Sequence, residues 1–399
     1  MSTRLIRTAL VSVTAIAAVG SAALTAPMAS AAPKTSYAPS TSGVAAGHAA
    51  TQNAMDTVVK AGVPGVVAEV QDGNTVWKGT SGVADLTTGQ PRGNGDSFRA
   101  GSVTKSLVST VMLQLQAEGK VDLDATVDSY LPGLVHGNGH DGTQITVRQL
   151  LNHTSGIFNF TDDATFKREV MSMQFLRNRY ETWTPQQVIA LAMKNPPQFK
   201  PGTAWGYSNT DYLVVGLIIE KVTGHPYAEE IGRRITRPLK MQATYFPGTD
   251  PTIPAPTHHY SMLNNGGKVY DVTELNPSWA WAAGEMVTNS GDLNRFFSAL
   301  LGGKLLPRAQ LEEMTSMVST EGKLPQQSYG LGLIEYETTC GIKVWGHSGS
   351  IHGSATQSFG TKDGKHMISL NFNGDWVGGG KAIVSAEFCT PQATAAAGS

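Results

Sequence analysis

Only two cysteines, Cys340 and Cys389, occur in 399 residues, and most familiar catalytic signatures are missing. There is no H-E-x-x-H zinc motif. His258-His259 and the pair His136 and His140 sit in proline- or glycine-rich stretches without metal-ligand spacing, and they read as solvated side chains rather than metal ligands. There is no G-x-S-x-G elbow, because GHSGS (346–350) lacks the final glycine. No glycine-rich phosphate loop leads into a helix, so no nucleotide cofactor is implied and none is expected. Basic and acidic residues nearly cancel, 30 against 31, with no basic tract, which argues against a nucleic-acid partner. Past the first thirty residues no stretch is apolar enough to span a bilayer.

What is present begins with MSTRLIRTALVSVTAIAAVGSAALTAPMASA. Arg4 and Arg7 precede a short alanine-rich apolar run that ends at the small-residue triplet Ala29-Ser30-Ala31. That pattern is a secretory signal, with cleavage expected after Ala31 and no stable membrane anchor left behind. Losing both arginines takes the formal net charge from −1 to −3. In an exported chain the two cysteines are expected to pair as a disulfide. Residues 32–48 and the tail 391–399 are small, polar and proline-bearing, as in flexible segments. The remainder, 49–390, is long enough for one large two-lobed domain.

Strand patterns come first. VVAEVQ (66–71) and TVWKGTSGVAD (75–85) flank Asp72-Gly73-Asn74, a hairpin signal. GSVTKS then opens a helix with apolar Leu107, Val108, Val111, Met112 and Leu115 at helical spacing. The middle is helical: capping boxes are expected at Thr146/Gln149 and Thr184/Gln187, and DYLVVGLIIEKVTG (211–224), apolar nearly all round, reads as a buried helix that stops at Gly224. GDLNRFFSALLGG (291–303) is a further helix. Strands return in SYGLGLIEYE, IKVWGH, ATQSFGT and KHMISLNFN before a last helix, AIVSAEFC. The pattern predicts an α/β (α+β) protein: an antiparallel sheet built from both chain ends and flanked by helices (about 49–117 and 285–390), with an inserted, mainly helical lobe (about 118–284).

Three short motifs could carry chemistry. In GSVTKS, Lys105 lies one helical turn after Ser102, which puts an amine beside a hydroxyl that needs activation. In GYSNTDY, Tyr207 is a phenol that could shuttle a proton if nearby cations lower its pKa. In VWGHSGS, His347-Ser348-Gly349-Ser350 ends an apolar strand where a ligand backbone could approach. Each has an ordinary structural reading when taken alone: an N-cap serine with a solvated lysine, a helix cap at Ser208-Asn209-Thr210, and a strand end followed by a loop. As an ordered set they are related to the S-x-x-K, S-D-N and K-T-G trio of serine β-lactamases and penicillin-binding proteins.

From about Val63 to Cys389 the chain resembles the secreted D-alanyl-D-alanine carboxypeptidases of the serine β-lactamase superfamily, in the branch that also holds class C β-lactamases and several esterases. FRAGSVTKS, LQAEGKVDLDATVDSYLPG, ITVRQLLNHTSG, YSNTDYLVVGLIIEKVTGH, YGLGL and GHSGS carry that resemblance. It implies a β-lactamase/transpeptidase-like fold. It also implies an acyl-enzyme on Ser102, Lys105 as the charge or base beside it, and Tyr207 as the proton relay, with the first base left open between Lys105 and Tyr207. Asn209 would hydrogen-bond the substrate amide and His347 would help polarise the site. The backbone N–H groups of Ser102 and Ser350 would form the oxyanion hole, with Ser348, Gly349 and Trp279 at the substrate. The expected activity is a monomeric DD-peptidase acting on the acyl-D-alanyl-D-alanine ends of peptidoglycan stem peptides, with β-lactams as inhibitors. One position departs from the pattern. Where similar carboxypeptidases carry an arginine for the peptide carboxylate, just after YGLGL, this chain has Ile334 and then Glu335. An esterase, β-lactamase or D-amino-acid amidase of the same fold is therefore the rival. A non-catalytic β-lactam or wall-peptide receptor is disfavoured, because Lys105 and Tyr207 are both present.

Overall fold

Residues 47–254 and 256–389 are described by a computed structural model of the chain. The expected export signal (1–31), most of the leader (32–48) and the tail (391–399) lie outside them. The N-terminal hairpin forms as its turn chemistry predicts: β1 (Gly65–Asp72) and β2 (Thr75–Gly82) reverse at Gly73, which takes φ +56°, and Asn74. The last third contributes β3 (Val318–Ser319), β4 (Gln327–Tyr329), β5 (Ile334–Glu337), β6 (Lys343–Ile351), β7 (Ser354–Gly360) and β8 (His366–Phe372). One antiparallel sheet results, in the order β2-β1-β8-β7-β6-β5-β4-β3, so the two ends of the domain meet at the β1–β8 pairing.

Both faces of this sheet are covered, which is why β1 is apolar at successive positions. Val66, Ala68 and Val70 pack with Met55 and Val58 of α1 (Ala49–Lys60) and with Ile383, Val384 and Phe388 of the C-terminal helix (Gly380–Phe388). Val67 points the other way, into a second and larger core. That core takes in Leu293, Phe296 and Phe297 of the helix Ser290–Leu301 and continues without a break through the helical lobe. Each such side chain contributes about 1.5–3 kcal/mol on burial. Two helices cross this core. α2 (Thr104–Ala117) follows a 3-10 turn at Gly101–Val103 and is buried along nearly its whole length. α3 (Asn209–Thr223) stops where Gly224 adopts φ +74°. Both expected capping boxes form.

Three expectations are corrected. SYGLGLIEYE is two strands, because Gly332 takes φ +71° and its peptide is anchored elsewhere: its N–H donates to Leu151 O, and its carbonyl accepts from Ser106 Oγ at 2.7 Å. The strand expected to end near His347 runs on to Ile351, paired throughout with β7. The Ser208-Asn209-Thr210 cap does not form, since Ser208 precedes α3 without a capping side-chain bond. Cys340 and Cys389 are joined, 49 positions apart, tying the turn after β5 to the end of the last helix. Closing a loop of that length stabilises the fold by about 4 kcal/mol on the chain-entropy relation.

Candidate active site

The nucleophile candidate stands where two backbones nearly touch. Gly101 takes φ +55°, and a Cβ there would lie 2.7 Å from Ser350 N; a Cβ on Gly349 would lie 2.0 Å from Ala100 O and 2.8 Å from Ser102 N. The turn before α2 and strand β6 therefore dock backbone to backbone, and Ser102 and Ser350 both line one cavity. Their backbone N–H groups are the candidates for an oxyanion hole. Gly349→Ala is expected to force the turn off the strand and lower turnover about 100-fold while the protein stays folded. Steady-state rates beside a thermal melt check this, and wild-type turnover in the variant would overturn it.

Lys105 projects from the first turn of α2 and is fully buried. Its Nζ lies 3.1 Å from Ser102 Oγ, 2.8 Å from Asn209 Oδ1 and 2.6 Å from Ala283 O. The last contact depends on α3 having a glycine at 216, where a Cβ would meet Ala282 and Trp281 at 2.7 Å; the turn Trp281–Ala283 rests directly on the helix. Burial pushes the Lys105 pKa well below the usual lysine range. Tyr207 lies with its ring 5.0 Å from Nζ. Burial raises the Tyr207 pKa, which corrects the expectation of a phenol acidified by cations. The arrangement thus sets an amine of lowered pKa and a phenol of raised pKa close to one serine hydroxyl.

Behind this triad is a layer with no clear sequence signal. Asn159 Oδ1 accepts from the Asn209 backbone N–H at 3.0 Å and from its Nδ2 at 3.3 Å, which turns the Asn209 oxygen toward Lys105. Asp211 accepts from Ser155 Oγ at 2.6 Å and lies 2.9 Å from His153 Nδ1, which also accepts from the Ser208 N–H at 3.3 Å. Burial drives the carboxyl pKa up and the imidazole pKa down, which favours the uncharged form of each. The His153 ring packs 4.3 Å from that of Tyr207. His153 thus touches both the Tyr207 phenol and the start of α3. ITVRQLLNHTSG had marked the segment as family-like but gave His153 no role.

The cavity has a volume of about 410 Å³. Ser102, Asn209, Trp279 and Ser350 line it, as expected of them, together with Phe160, Met171, Leu263, His352 and Asp375. Lys105 and Tyr207 lie beneath its floor rather than on its wall. Ser348 and Gly349 do not line it: Gly349 serves the backbone contact, and the Ser348 carbonyl pairs with His347 Nδ1. His347 is also withdrawn from the cavity. It is buried, bonded through Nε2 to Tyr329 OH at 2.9 Å, and burial pushes its pKa down to about 3. It supports the strand without bringing charge to the site. Two other histidines expected to be solvated are buried: His140 bonds Asn195 O at 3.1 Å and His259 bonds Gly353 O at 3.0 Å. No group of residues among those described could hold a metal ion.

Residues 48–375 match the Beta-lactamase family. A D-stereospecific amidohydrolase from Streptomyces sp. superposes with a TM-score of 0.82 at 50% identity, over 86% of this chain and 98% of that one. The D-amino acid amidase from Ochrobactrum anthropi SV3 gives 0.75 at 28%, over 88% and 99%. A D-aminopeptidase from Cereibacter sphaeroides is 26% identical over 326 residues, 78% of this chain. The match spans 57% of that relative's own length, and 62% and 64% of two Bacillus subtilis relatives named as penicillin-binding proteins. The chain belongs to the beta-lactamase family and is a serine hydrolase of the β-lactamase and penicillin-binding-protein superfamily.

Proposed function

We propose that this protein is a D-stereospecific amidohydrolase that cleaves amides of D-amino acids through an acyl-enzyme on Ser102. The observation that carries the reading is the charge of the cavity: no arginine or lysine lines it, and its one charged wall residue is Asp375. A DD-carboxypeptidase must hold a free carboxylate, for which an arginine fork is the usual device. Here Ile334 is buried in the sheet at 2% exposure, and Glu335 is paired with Lys343 at 2.7 Å. The similarity to a D-stereospecific amidohydrolase and a D-amino acid amidase supports the same substrate class.

In this reading the Ser102 hydroxyl attacks the amide carbonyl and passes its proton to Lys105. The tetrahedral oxyanion is held by the N–H groups of Ser102 and Ser350, and Asn209 bonds the substrate amide. Tyr207 delivers a proton to the leaving amine, and water then releases the D-amino acid by the reverse relay. A β-lactam offers Ser102 a comparable acyl carbon and is proposed as an inhibitor. Export after loss of residues 1–31 is proposed as well, and accords with the Cys340–Cys389 disulfide.

The test compares three substrates with purified protein: D-phenylalaninamide, its L-enantiomer, and diacyl-L-lysyl-D-alanyl-D-alanine. Ammonia release from the D-amide is expected to exceed both the L-amide rate and D-alanine release by at least about tenfold, the usual worth of one well-made polar contact. Faster release of D-alanine from the tripeptide would return the assignment to a carboxypeptidase.

A further inference from the structure

Asp375 is the one acidic residue in the cavity wall, no lysine or arginine lines it, and the mechanism gives this carboxylate no task. The chain leaves β8 and is pinned at once by Asn373, whose Nδ2 donates to Val83 O, Ala84 O and His258 O at 3.1, 3.3 and 3.0 Å. Two residues later the Asp375 carboxylate accepts the Gly353 N–H at 2.9 Å, and Ser261 lines the same cavity. Gly353 belongs to the turn that follows β6, three positions after Ser350. The carboxylate is thus built into the same wall as the oxyanion pair. It is partly buried, and burial raises its pKa, as happens to a carboxylate with no cation beside it. The other titratable wall group, His352, is neutral; its pKa is about 4 and its Nε2 is turned to Val170 O at 2.8 Å. The same cavity offers Phe160, Met171, Leu263 and Trp279 as an apolar wall.

We propose that Asp375 anchors the α-ammonium of the substrate, so that the enzyme takes unblocked D-aminoacyl groups in preference to N-acylated ones. This rests on the amidase reading above and narrows its substrate class. A free D-amino-acid amide has three recognition elements: a carbonyl, an apolar side chain and a cation. The cavity supplies a counterpart to each: Ser102 with the paired amides, the aromatic and aliphatic wall, and Asp375. An ammonium placed there offsets the cost of holding a carboxylate partly out of water, and the charge-assisted hydrogen bond is of the stronger kind. An N-acetyl amide brings no cation and leaves that cost in place. A carboxylate ligand is repelled, which is a second reason for a DD-peptidase substrate to fit poorly.

The experiment measures kcat/KM for D-phenylalaninamide and N-acetyl-D-phenylalaninamide, first with the wild-type enzyme, where misfolding cannot confuse the result. The free amine is expected to be preferred by about 10- to 100-fold, the range for a hydrogen bond to a charged group. In Asp375→Asn, which keeps an oxygen for the Gly353 N–H, that preference ratio is expected to fall by about the same factor, mainly through KM. Equal use of both amides by the wild type overturns the proposal while leaving the amidase reading intact. So does an unchanged ratio in Asp375→Asn. A preference for N-acetyl-D-lysinamide over N-acetyl-D-norleucinamide would move the cation to the side chain and overturn the α-ammonium assignment. A folded wild type inert toward every D-amide would instead remove the amidase reading itself.

Discussion

Ser102→Ala is expected to lower kcat on D-amides by about 10⁵- to 10⁶-fold, the scale seen when a serine hydrolase loses its nucleophile. Nothing nearby can take over. Ser350 reaches the cavity but has no amine beside it, and Thr104, two positions on, spends its hydroxyl on the Gly101 carbonyl at 2.7 Å. The substitution removes one small side chain whose hydrogen bond is to Lys105, so the fold should tolerate it. Substrate binding should survive, because the amides of residues 102 and 350 are backbone groups. Rates with a D-amide, together with intact mass after incubation with a slowly turned-over ester, give the readout. Residual activity above 1% of wild type, or an acyl adduct that still forms, would place the nucleophile elsewhere.

Lys105→Met should come next in size, about 10³- to 10⁴-fold, toward the upper end for loss of a general base. Of the three groups around Nζ, Asn209 Oδ1 and Ala283 O can only accept, and only the Ser102 hydroxyl can donate. A neutral amine must spend its two N–H bonds on the two obligate acceptors, which leaves its lone pair aimed at Ser102. Because burial lowers the Lys105 pKa, kcat/KM should rise with pH through that lowered value as the ammonium gives up its proton. The residual rate of Lys105→Met should lack this limb. Methionine fills the volume without a buried charge, although it leaves two acceptors short of a donor at about 1–3 kcal/mol each. Thermal melts of the folded variant therefore accompany the pH profiles. A pH limb that persists unchanged in Lys105→Met would shift the base to Tyr207.

The sequence was most legible where local chemistry decides structure. The hairpin at Gly73, the capping boxes at Thr146 and Thr184 and the stop at Gly224 all follow from residue types with few alternatives. The S-x-x-K spacing was readable for the same reason, since one helical turn fixes a serine beside a lysine. What stayed hidden depends on distant segments meeting. Nothing around Asn159 announces that it will orient Asn209 fifty positions away, and nothing in NGDW marks Asp375 as a wall of the site. His347 looked functional as part of a motif, yet its burial against Tyr329 is a tertiary fact. The proton states were hidden too, because pKa direction depends on desolvation, which a spacing pattern does not contain.

The pairing of β1 with β8 has a consequence for how the molecule comes to exist. Two central strands of the sheet are drawn from opposite ends of the domain, and the site likewise needs α2 early and Ser350 late. Such a topology has a high contact order, so folding is slow and must wait for nearly all of the chain. A nascent or truncated chain that stops before His366 would hold β1 and β7 with open edges, each a template for pairing with a neighbour. Activity and escape from aggregation should therefore arrive together, late, when the last strand slots between two that are already made.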